Sequence, residues 1–324
     1  MHVIIPVAGE GTRLRPHTYS IPKVLLPVAG KPIISHIIDE VVKLSPEKVT
    51  LIIGHLGERI KAFLEGTYDL PFRWVVQSER KGLGHAVGMG IDEGEREPLL
   101  IILGDTIFEA DLSGLSGGDT SFIGVKEVDD PRRFGVVELE GDLVVKLVEK
   151  PDVPPSNLAI VGLYYIRNAR ELSEAVRKLV SEDIRSKGEY QLTDALQLLV
   201  DGGEPLKTFR VEGWYDCGKQ ETLLATNSHF LSKLSGKIQN KDSLIIDPVF
   251  LSPEAEVSRS VIGPDVSVSE GVSIRQSIIK NSIVCDRAQV RNIILEDSII
   301  GPGAVIEGSF SRLNLGEESR VRVE

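Results

Sequence analysis

Up to about residue 230, short apolar runs rich in β-branched residues alternate with stretches whose apolar residues recur every three or four positions. Val3 to Val7, Val49 to Ile53, Arg73 to Val76 and Leu99 to Leu103 predict strands; Ile33 to Leu44 and Gly57 to Leu64 predict amphipathic helices. Strand and helix in alternation predict an α/β domain with a mixed, mostly parallel sheet. Between Asp119 and Ile166 the strand signals crowd together, which predicts antiparallel additions. Helical spacing returns at Ala169 to Val180 and Leu192 to Asp201.

After about residue 242 the helical spacing is lost. Ser-(Val/Ile)-(Ile/Val) stands at Ser260, Ser277, Ser282 and Ser298, and Ile-Gly-Pro at Ile262 and Ile300. Aliphatic residues step by six, as in Ile262, Val268 and Ile274, or Val266, Val272 and Ile278. The pattern resembles a hexapeptide-repeat left-handed parallel β-helix, in which inward aliphatics of one triangular coil stack on those of the next. An ordinary β-rich domain is the plainer alternative, and the regularity of the repeat weighs against it. The polar segment Ser232 to Lys241 separates the two patterns, so two domains are expected, 1–231 and 242–324.

Composition narrows the class. The chain has 324 residues, 41% of them hydrophobic, and can bury a large core. Its formal net charge of -11 leaves no global positive field for nucleic acid, although a local basic pocket can hold a phosphorylated small molecule. Cys217 and Cys285 are its only cysteines, too few for a disulfide framework or a four-ligand zinc site, and they fit a reduced, cytoplasmic setting. No apolar run reaches membrane-spanning length, so no membrane partner is expected. The apolar start His2 to Ala8 runs straight into a glycine loop, as a buried strand does and a signal peptide does not.

That loop is Gly9-Glu10-Gly11-Thr12-Arg13-Leu14-Arg15-Pro16, with Lys23 ten residues beyond Arg13. Glycines let backbone N–H groups approach a phosphate chain, and Arg13 and Lys23 supply the charge that a triphosphate requires. Two familiar nucleotide loops do not fit: a Gly-x-Gly-x-x-Gly would need glycine at Leu14, and a Walker A loop would need Gly-Lys-Ser/Thr. A tight strand-to-helix turn with solvated basic residues would share the glycines, so the loop alone decides nothing.

In combination with Pro22-Lys23, Leu26-Pro27-Val28 and Lys31-Pro32-Ile33, the loop resembles the sugar-phosphate nucleotidylyltransferases, most closely the long-form glucose-1-phosphate thymidylyltransferases. The likeness continues through Gln77, Lys81 to Ala86, Gly104-Asp105-Thr106, Phe134 to Glu138, Glu149-Lys150-Pro151, Asn157 to Tyr164, Gly188 to Asp194 and Trp214 to Gly218. It implies a Rossmann-like nucleotidyltransferase domain ahead of the β-helix, and a reaction joining a pyrimidine nucleoside triphosphate to a hexose 1-phosphate with release of pyrophosphate.

The resemblance also assigns roles. Arg13, Lys23, Asp105 and Asp216 would be catalytic, with Asp105 and Asp216 jointly holding Mg²⁺, a hard cation suited to carboxylate oxygens. Asp105 follows the apolar run Leu99 to Leu103, which puts it at the carboxyl edge of the sheet, where open α/β sheets bind ligands. Ala8, Gly9, Gly11, Thr12, Arg13, Gln77 and Gly82 would bind the nucleotide. Gly135, Glu149, Lys150, Tyr164 and Lys187 would bind the sugar phosphate. His85 reads as a packed or surface histidine.

Two positions depart from the pattern: Lys187 stands where many thymidylyltransferases have arginine, and Ala8 where many have glycine. The nucleotide signals divide. Ile5 to Gly9, Lys81 to Val87 and Gln191 to Asp194 resemble glucose-1-phosphate uridylyltransferases, while Leu14-Arg15-Pro16, the short stretch from Leu64 to Gln77 and the β-helix tail resemble thymidylyltransferases, so dTTP is favoured over UTP. A bifunctional enzyme with an acetyltransferase β-helix would need a histidine base there, and the last histidine is His229. A non-catalytic regulatory subunit could dispense with the aspartates and cations that this chain keeps. The β-helix is then expected to serve homo-oligomer assembly.

Overall fold

The computed structural model describes residues 1–112, 114, 120–234, 236 and 238–308. Asp119, Ser235, Lys237 and the end of the expected second domain, 309–324, lie outside the described residues. The chain forms two compact units, one of Met1–Leu26 and Lys31–Leu223, the other of Pro27–Gly30 and the residues from Leu224 onward.

The elements before the β-helix are β1 (His2–Pro6), β2 (Pro27–Val28), β3 (Lys31–Pro32), α1 (Ile33–Lys43), β4 (Lys48–Ile53), α2 (Gly57–Thr67), β5 (Phe72–Val76), α3 (Leu83–Gly90), β6 (Leu99–Ile102) and β7 (Thr106–Glu109). They continue with β8 (Ser121–Glu127), β9 (Gly135–Glu140), β10 (Leu143–Glu149), β11 (Leu158–Ile166), α4 (Ala169–Ser181), α5 (Leu192–Asp201), β12 (Leu206–Arg210), β13 (Gly213–Asp216) and α6 (Gln220–Leu231).

The first unit is built on a nine-stranded mixed sheet in the order β5-β4-β1-β6-β11-β8-β12-β10-β9. The pairs β5/β4, β4/β1, β1/β6 and β12/β8 are parallel. The pairs made by β11 with β6 and β8, and by β10 with β9 and β12, are antiparallel, which is where the crowded strand signals lie.

Successive residues of β1 enter opposite cores. Ile4 packs in the cluster that contains Val87 of α3, Leu172 of α4 and Leu196 of α5, whereas Val3 and Ile5 pack in the one that contains Ile34, Ile37 and Ile38 of α1 and Ile60 of α2. Covered on both faces, the central strands are apolar along most of their length, as Ile101 and Ile102 of β6 are. Each wholly buried isoleucine contributes roughly 2 kcal/mol of transfer free energy.

The chain runs outward from β1 to β4 and β5, then returns to place β6 on the other side of β1. The two loops leaving the carboxyl ends of β1 and β6 therefore diverge from a topological switch point, the crevice where open α/β sheets take ligands.

The second unit is a parallel β-helix of three four-stranded sheets, of the three-sided kind expected of the left-handed form. One sheet stacks Leu244–Ile245, Val261–Ile262, Ile278–Ile279 and Ile294–Leu295. Inward residues follow one another by register: Ile245, Ile262, Ile279 and Leu295 on this face, and Val257, Ile274, Val290 and Ile306 on another. The strict six-residue step does not persist. From Ile274 the next inward residue is Ile279, and Ile278, which the step makes an inward residue, is 40% exposed.

The repeated serines have a physical role: the Ser260 hydroxyl oxygen accepts the Ser277 N–H (3.1 Å), and the Ser282 hydroxyl oxygen accepts the Ser298 N–H (3.1 Å), each joining one coil to the next. Outward on the first sheet, Leu244, Val261, Ile278 and Ile294 stand in register as an aliphatic column. Among the described residues no helix is long and apolar enough to cross a membrane.

Candidate active site

Gly11 sets the shape of the loop after β1. It adopts φ 63°, and a methyl group built on it would meet Lys23 Cβ and Thr18 Cγ2 at 3.0 Å, so the turn that carries Arg13 closes directly onto the segment that carries Lys23. The Thr18 hydroxyl donates to the Gly11 carbonyl at 2.8 Å and holds the turn shut. Sequence distance thus becomes contact between the two basic segments.

A cleft of about 510 Å³ lies over this loop. Its lining includes all the residues expected to bind the nucleotide, Ala8, Gly9, Gly11, Thr12, Arg13, Gln77 and Gly82, together with Lys23 and Asp105. Gly82 has φ 113°, and a methyl there would come within 2.5 Å of the Tyr190 carbonyl, so the backbone is exposed to the cleft without a side chain. Arg80 and Glu189 also line the cleft, and Arg80 pairs with Glu10 at 2.6 Å.

Gln77 is 8% exposed, and its side-chain amide lies 3.3 Å from His85 Nδ1. Burial, then the Lys81 charge, lowers the pKa of His85 and favours the neutral ring, which can accept a hydrogen bond from that amide. His85 is therefore an orienting partner of Gln77, a role beyond the packed histidine expected from sequence. Its signal was the eight-residue spacing across the turn into α3, which gains meaning only once that turn is folded.

A second cleft, of about 480 Å³, shares Arg13, Leu83, Leu103, Asp105 and Glu189 with the first. It is lined by Gly135, Glu149, Lys150 and Tyr164, four of the five residues expected at the sugar phosphate, and by Asp216, Arg133, Phe134, Thr193 and Trp214. Glu149 accepts a hydrogen bond from the Thr193 hydroxyl at 2.7 Å and pairs with Lys150 at 2.9 Å. Burial, followed by the charges of Glu149 and Asp105, raises the pKa of Tyr164, so its phenol stays protonated and able to donate.

Lys187 lines neither cleft. It is exposed, adopts φ 53° in the loop before α5, and its Nζ lies 3.4 Å from Asp152 Oδ1. Lys187 thus stands apart from the four other residues expected at the sugar phosphate, beside a solvated carboxylate.

Asp105 and Asp216 come together through β-pairing. Asp216 ends β13 opposite Thr106, the first residue of β7, which places Asp105 one residue away. Lys23 Nζ donates to Asp105 Oδ2 at 3.1 Å. Burial raises the Asp105 pKa, but the Lys23 charge and hydrogen bond, with help from Thr106 and Arg13, outweigh it and hold the carboxyl below its usual range. A methyl on Gly218 would lie 2.7 Å from both Arg13 Nη2 and Asp216 Oδ1, so the bare backbone there makes room for both groups.

Among the described residues no three His, Cys, Asp or Glu side chains form a complete metal cage. Two carboxylates beside an open cleft fit Mg²⁺ nonetheless, since that ion takes one or two carboxylates and completes its shell with water and substrate phosphates.

The family model described as nucleotidyl transferase matches residues 2–233. The chain belongs to the nucleotidyl transferase family. Among relatives of this family, the low-salt glycan biosynthesis nucleotidyltransferase Agl11 of Haloferax volcanii is 30% identical, with the whole of both chains covered. A glucose-1-phosphate thymidylyltransferase of Streptomyces antibioticus is 29% identical, again over the whole of both chains. The solved structure of a UDP-glucose pyrophosphorylase complexed with UDP-glucose matches with a TM-score of 0.63 and 25% identity, over 72% of this chain and 99% of that one.

Proposed function

We propose that the protein joins a hexose 1-phosphate to a pyrimidine nucleoside triphosphate, with glucose 1-phosphate and dTTP as substrates and dTDP-glucose and pyrophosphate as products. The observation that carries this reading is the meeting of two clefts at Arg13 and Asp105, one floored by a doubly basic glycine loop and the other holding Glu149, Lys150 and Tyr164.

In this reading an oxygen of the sugar phosphate attacks the α-phosphorus in line. The bond from that phosphorus to the oxygen bridging to the β-phosphate breaks, and pyrophosphate leaves. A phosphate monoester dianion brings its own nucleophilic oxygen, so positioning and charge neutralisation carry the catalysis, and the clefts are lined by no histidine among the described residues.

Arg13 neutralises the departing pyrophosphate, and Lys23 bridges the reacting phosphates. Lys150 binds the phosphate of the sugar. Glu149, fixed by Thr193, accepts from sugar hydroxyls, and Tyr164 and Gly135 line that side. Gln77 reads the pyrimidine edge with its donor and acceptor, and Gly82 admits the base. Asp105 and Asp216 are the residues that would hold Mg²⁺, which when bound adds positive charge at the phosphates.

A uridylyl reading has its own support in the fold likeness to a UDP-glucose pyrophosphorylase and in the motif Gln191 to Asp194. Pyrophosphate release with Mg²⁺, a panel of nucleoside triphosphates and a panel of hexose 1-phosphates separates the two. The expected result is a higher kcat/KM for dTTP than for UTP; UTP ahead would install the uridylyl reading, and no turnover with any pair would remove the enzymatic one. We assign the outward column Leu244, Val261, Ile278 and Ile294 to self-association, so sedimentation velocity is expected to find an oligomer that Ile278→Lys dissociates; a wild-type monomer would refute this.

A further inference from the structure

The second cleft holds four carboxylates, Asp105, Glu149, Glu189 and Asp216, against three basic residues, Arg13, Arg133 and Lys150. Lys150 is already paired with Glu149 at 2.9 Å, and Lys187 is absent from the lining. A phosphate dianion entering so acidic a cleft needs a cation that no carboxylate has claimed.

Arg133 meets that need. It closes the short 3₁₀ turn Pro131–Arg133, in which the two neighbouring arginines part company. Arg132 folds back on Asp130: its backbone N–H, Nε and Nη2 all donate to that carboxylate, at 3.3, 2.7 and 2.9 Å. Arg133 forms no ion pair with a carboxylate among the described residues, and it lines the cleft. Its guanidinium carbon lies 5.9 Å from the centre of the Phe134 ring, and Phe134 meets Trp214 edge-on at 4.7 Å. Both rings line the same cleft, so an aromatic pair supports the side chain there.

The β9/β10 ladder brings this arginine beside Lys150. Gly135 pairs with Glu149, and one step further the Lys150 N–H donates to the Phe134 carbonyl at 3.1 Å. Arg133 and Lys150 therefore leave the same, open end of one hairpin. A guanidinium offers a phosphate two parallel N–H donors, and an ammonium adds a point charge.

We propose that Arg133 is a second phosphate-binding residue of the sugar-phosphate cleft: with Lys150 it grips the phosphate of the hexose 1-phosphate, a place that the family resemblance gives to Lys187. This rests on the reading that the second cleft takes the sugar phosphate.

The test is steady-state kinetics on the full chain, with Mg²⁺ and the nucleoside triphosphate and hexose 1-phosphate that turn over fastest, for Arg133→Gln, Arg133→Lys and Arg132→Gln. Arg133→Gln is expected to raise KM for the sugar phosphate roughly ten- to a hundredfold, the scale of a lost charged hydrogen bond, and to leave KM for the triphosphate within about twofold. Arg133→Lys is expected to recover part of that loss, since it keeps the charge without the fork. Arg132→Gln removes the same charge one residue away and is expected to leave both KM values within about twofold. Inorganic phosphate, as a competitor of the sugar phosphate, is expected to weaken in Arg133→Gln by a factor similar to the rise in KM. An unchanged KM for the sugar phosphate in folded Arg133→Gln, an equal effect from Arg132→Gln, or undiminished inhibition by phosphate would overturn the proposal. If Arg133→Gln does not fold by circular dichroism, Arg133→Lys carries the test, with a rise of at least about threefold expected and an unchanged KM overturning. A wild type that turns over no pair would instead remove the reading of the cleft, and the proposal with it.

Discussion

At the scale of single residues, Lys150 and Lys187 differ in where the fold puts them. Both lie in segments resembling the same family and both are about half exposed, yet one lines the second cleft beside Glu149 and the other pairs with Asp152 outside it. Lys150→Ala is expected to raise KM for the sugar phosphate by roughly ten- to a hundredfold, the loss of a charge-assisted contact, whereas Lys187→Ala stays within about twofold. Steady-state kinetics on the two variants checks this, and equal effects would contradict it. Both lysines have left-handed backbones, φ 43° and φ 53°, so what separates them is the strand end that carries Lys150 to the cleft beside Glu149, a placement that residue identity does not encode.

His2 carries a pH signature. It is 1% exposed, with one ring nitrogen 3.0 Å from Glu95 and the other 2.7 Å from Thr50. Burial, then the Lys48 charge, lowers its pKa from 6.5 to about 4, against the opposing pull of Glu95 and Asp92. Between these values the unfolded chain binds a proton that the folded one refuses, so the contribution is present above pH 6.5 and is lost as pH falls toward 4. The full contribution is roughly 3 kcal/mol. Urea unfolding from pH 7 to pH 4 is expected to show a shallower loss of stability for His2→Asn than for the wild type, and parallel curves would contradict the buried neutral ring.

At the scale of elements, the strands and helices with clean periodicity were the legible ones. Helix α5 occupies Leu192–Asp201, the span its apolar spacing predicts, and α4 gains a start signal in Asn168, whose side chain accepts the Glu171 N–H at 3.4 Å. Helix α3 was less legible, because Gly84, Gly88 and Gly90 depress helix propensity. Tertiary packing overrides propensity there: a methyl on Gly84 would meet the Gln191 carbonyl at 2.8 Å, and one on Gly88 would meet Val176 Cγ1 at 2.6 Å. Helix α6 hides in sequence for another reason, since Thr226 and Asn227 are buried polar residues that break any apolar stripe.

In the β-helix the repeat was legible and its period was not. Register pairs lie 17 residues apart between Ile262 and Ile279 and 16 between Ile279 and Leu295 (279 − 262 and 295 − 279), so a fixed step of six fails after Ile274. Ile279→Ala opens a cavity at a residue that is 0% exposed and is expected to cost about 2–5 kcal/mol. Ile278→Ala, at a residue 40% exposed, is expected to cost under about 1 kcal/mol in the same urea titration. The reverse order would show that the coil carries the six-residue register instead.

At the scale of the molecule, the strand order decides where chemistry can happen. The loops after β1 and β6 part at the switch point, and from one come Gly9 to Arg13, from the other Asp105. Sequence motifs could name these residues, and the sheet explains why they share a cleft. The antiparallel pairing of β7 with β13 then carries Asp216 to Asp105 across 111 positions of chain (216 − 105), a juxtaposition that no local pattern encodes.

The central claim is nucleotidyl transfer at the seam of the two clefts. Its most direct measurement uses dTTP labelled at the α-phosphate, with glucose 1-phosphate and Mg²⁺, and follows the label by anion-exchange chromatography for the wild type and for Asp105→Asn. The account expects label in a sugar nucleotide, one for each pyrophosphate released, and a loss of roughly a hundredfold or more in Asp105→Asn with its circular dichroism unchanged. Full activity in a folded Asp105→Asn protein, or label that never leaves the triphosphate pool in the wild type with either dTTP or UTP, would contradict it.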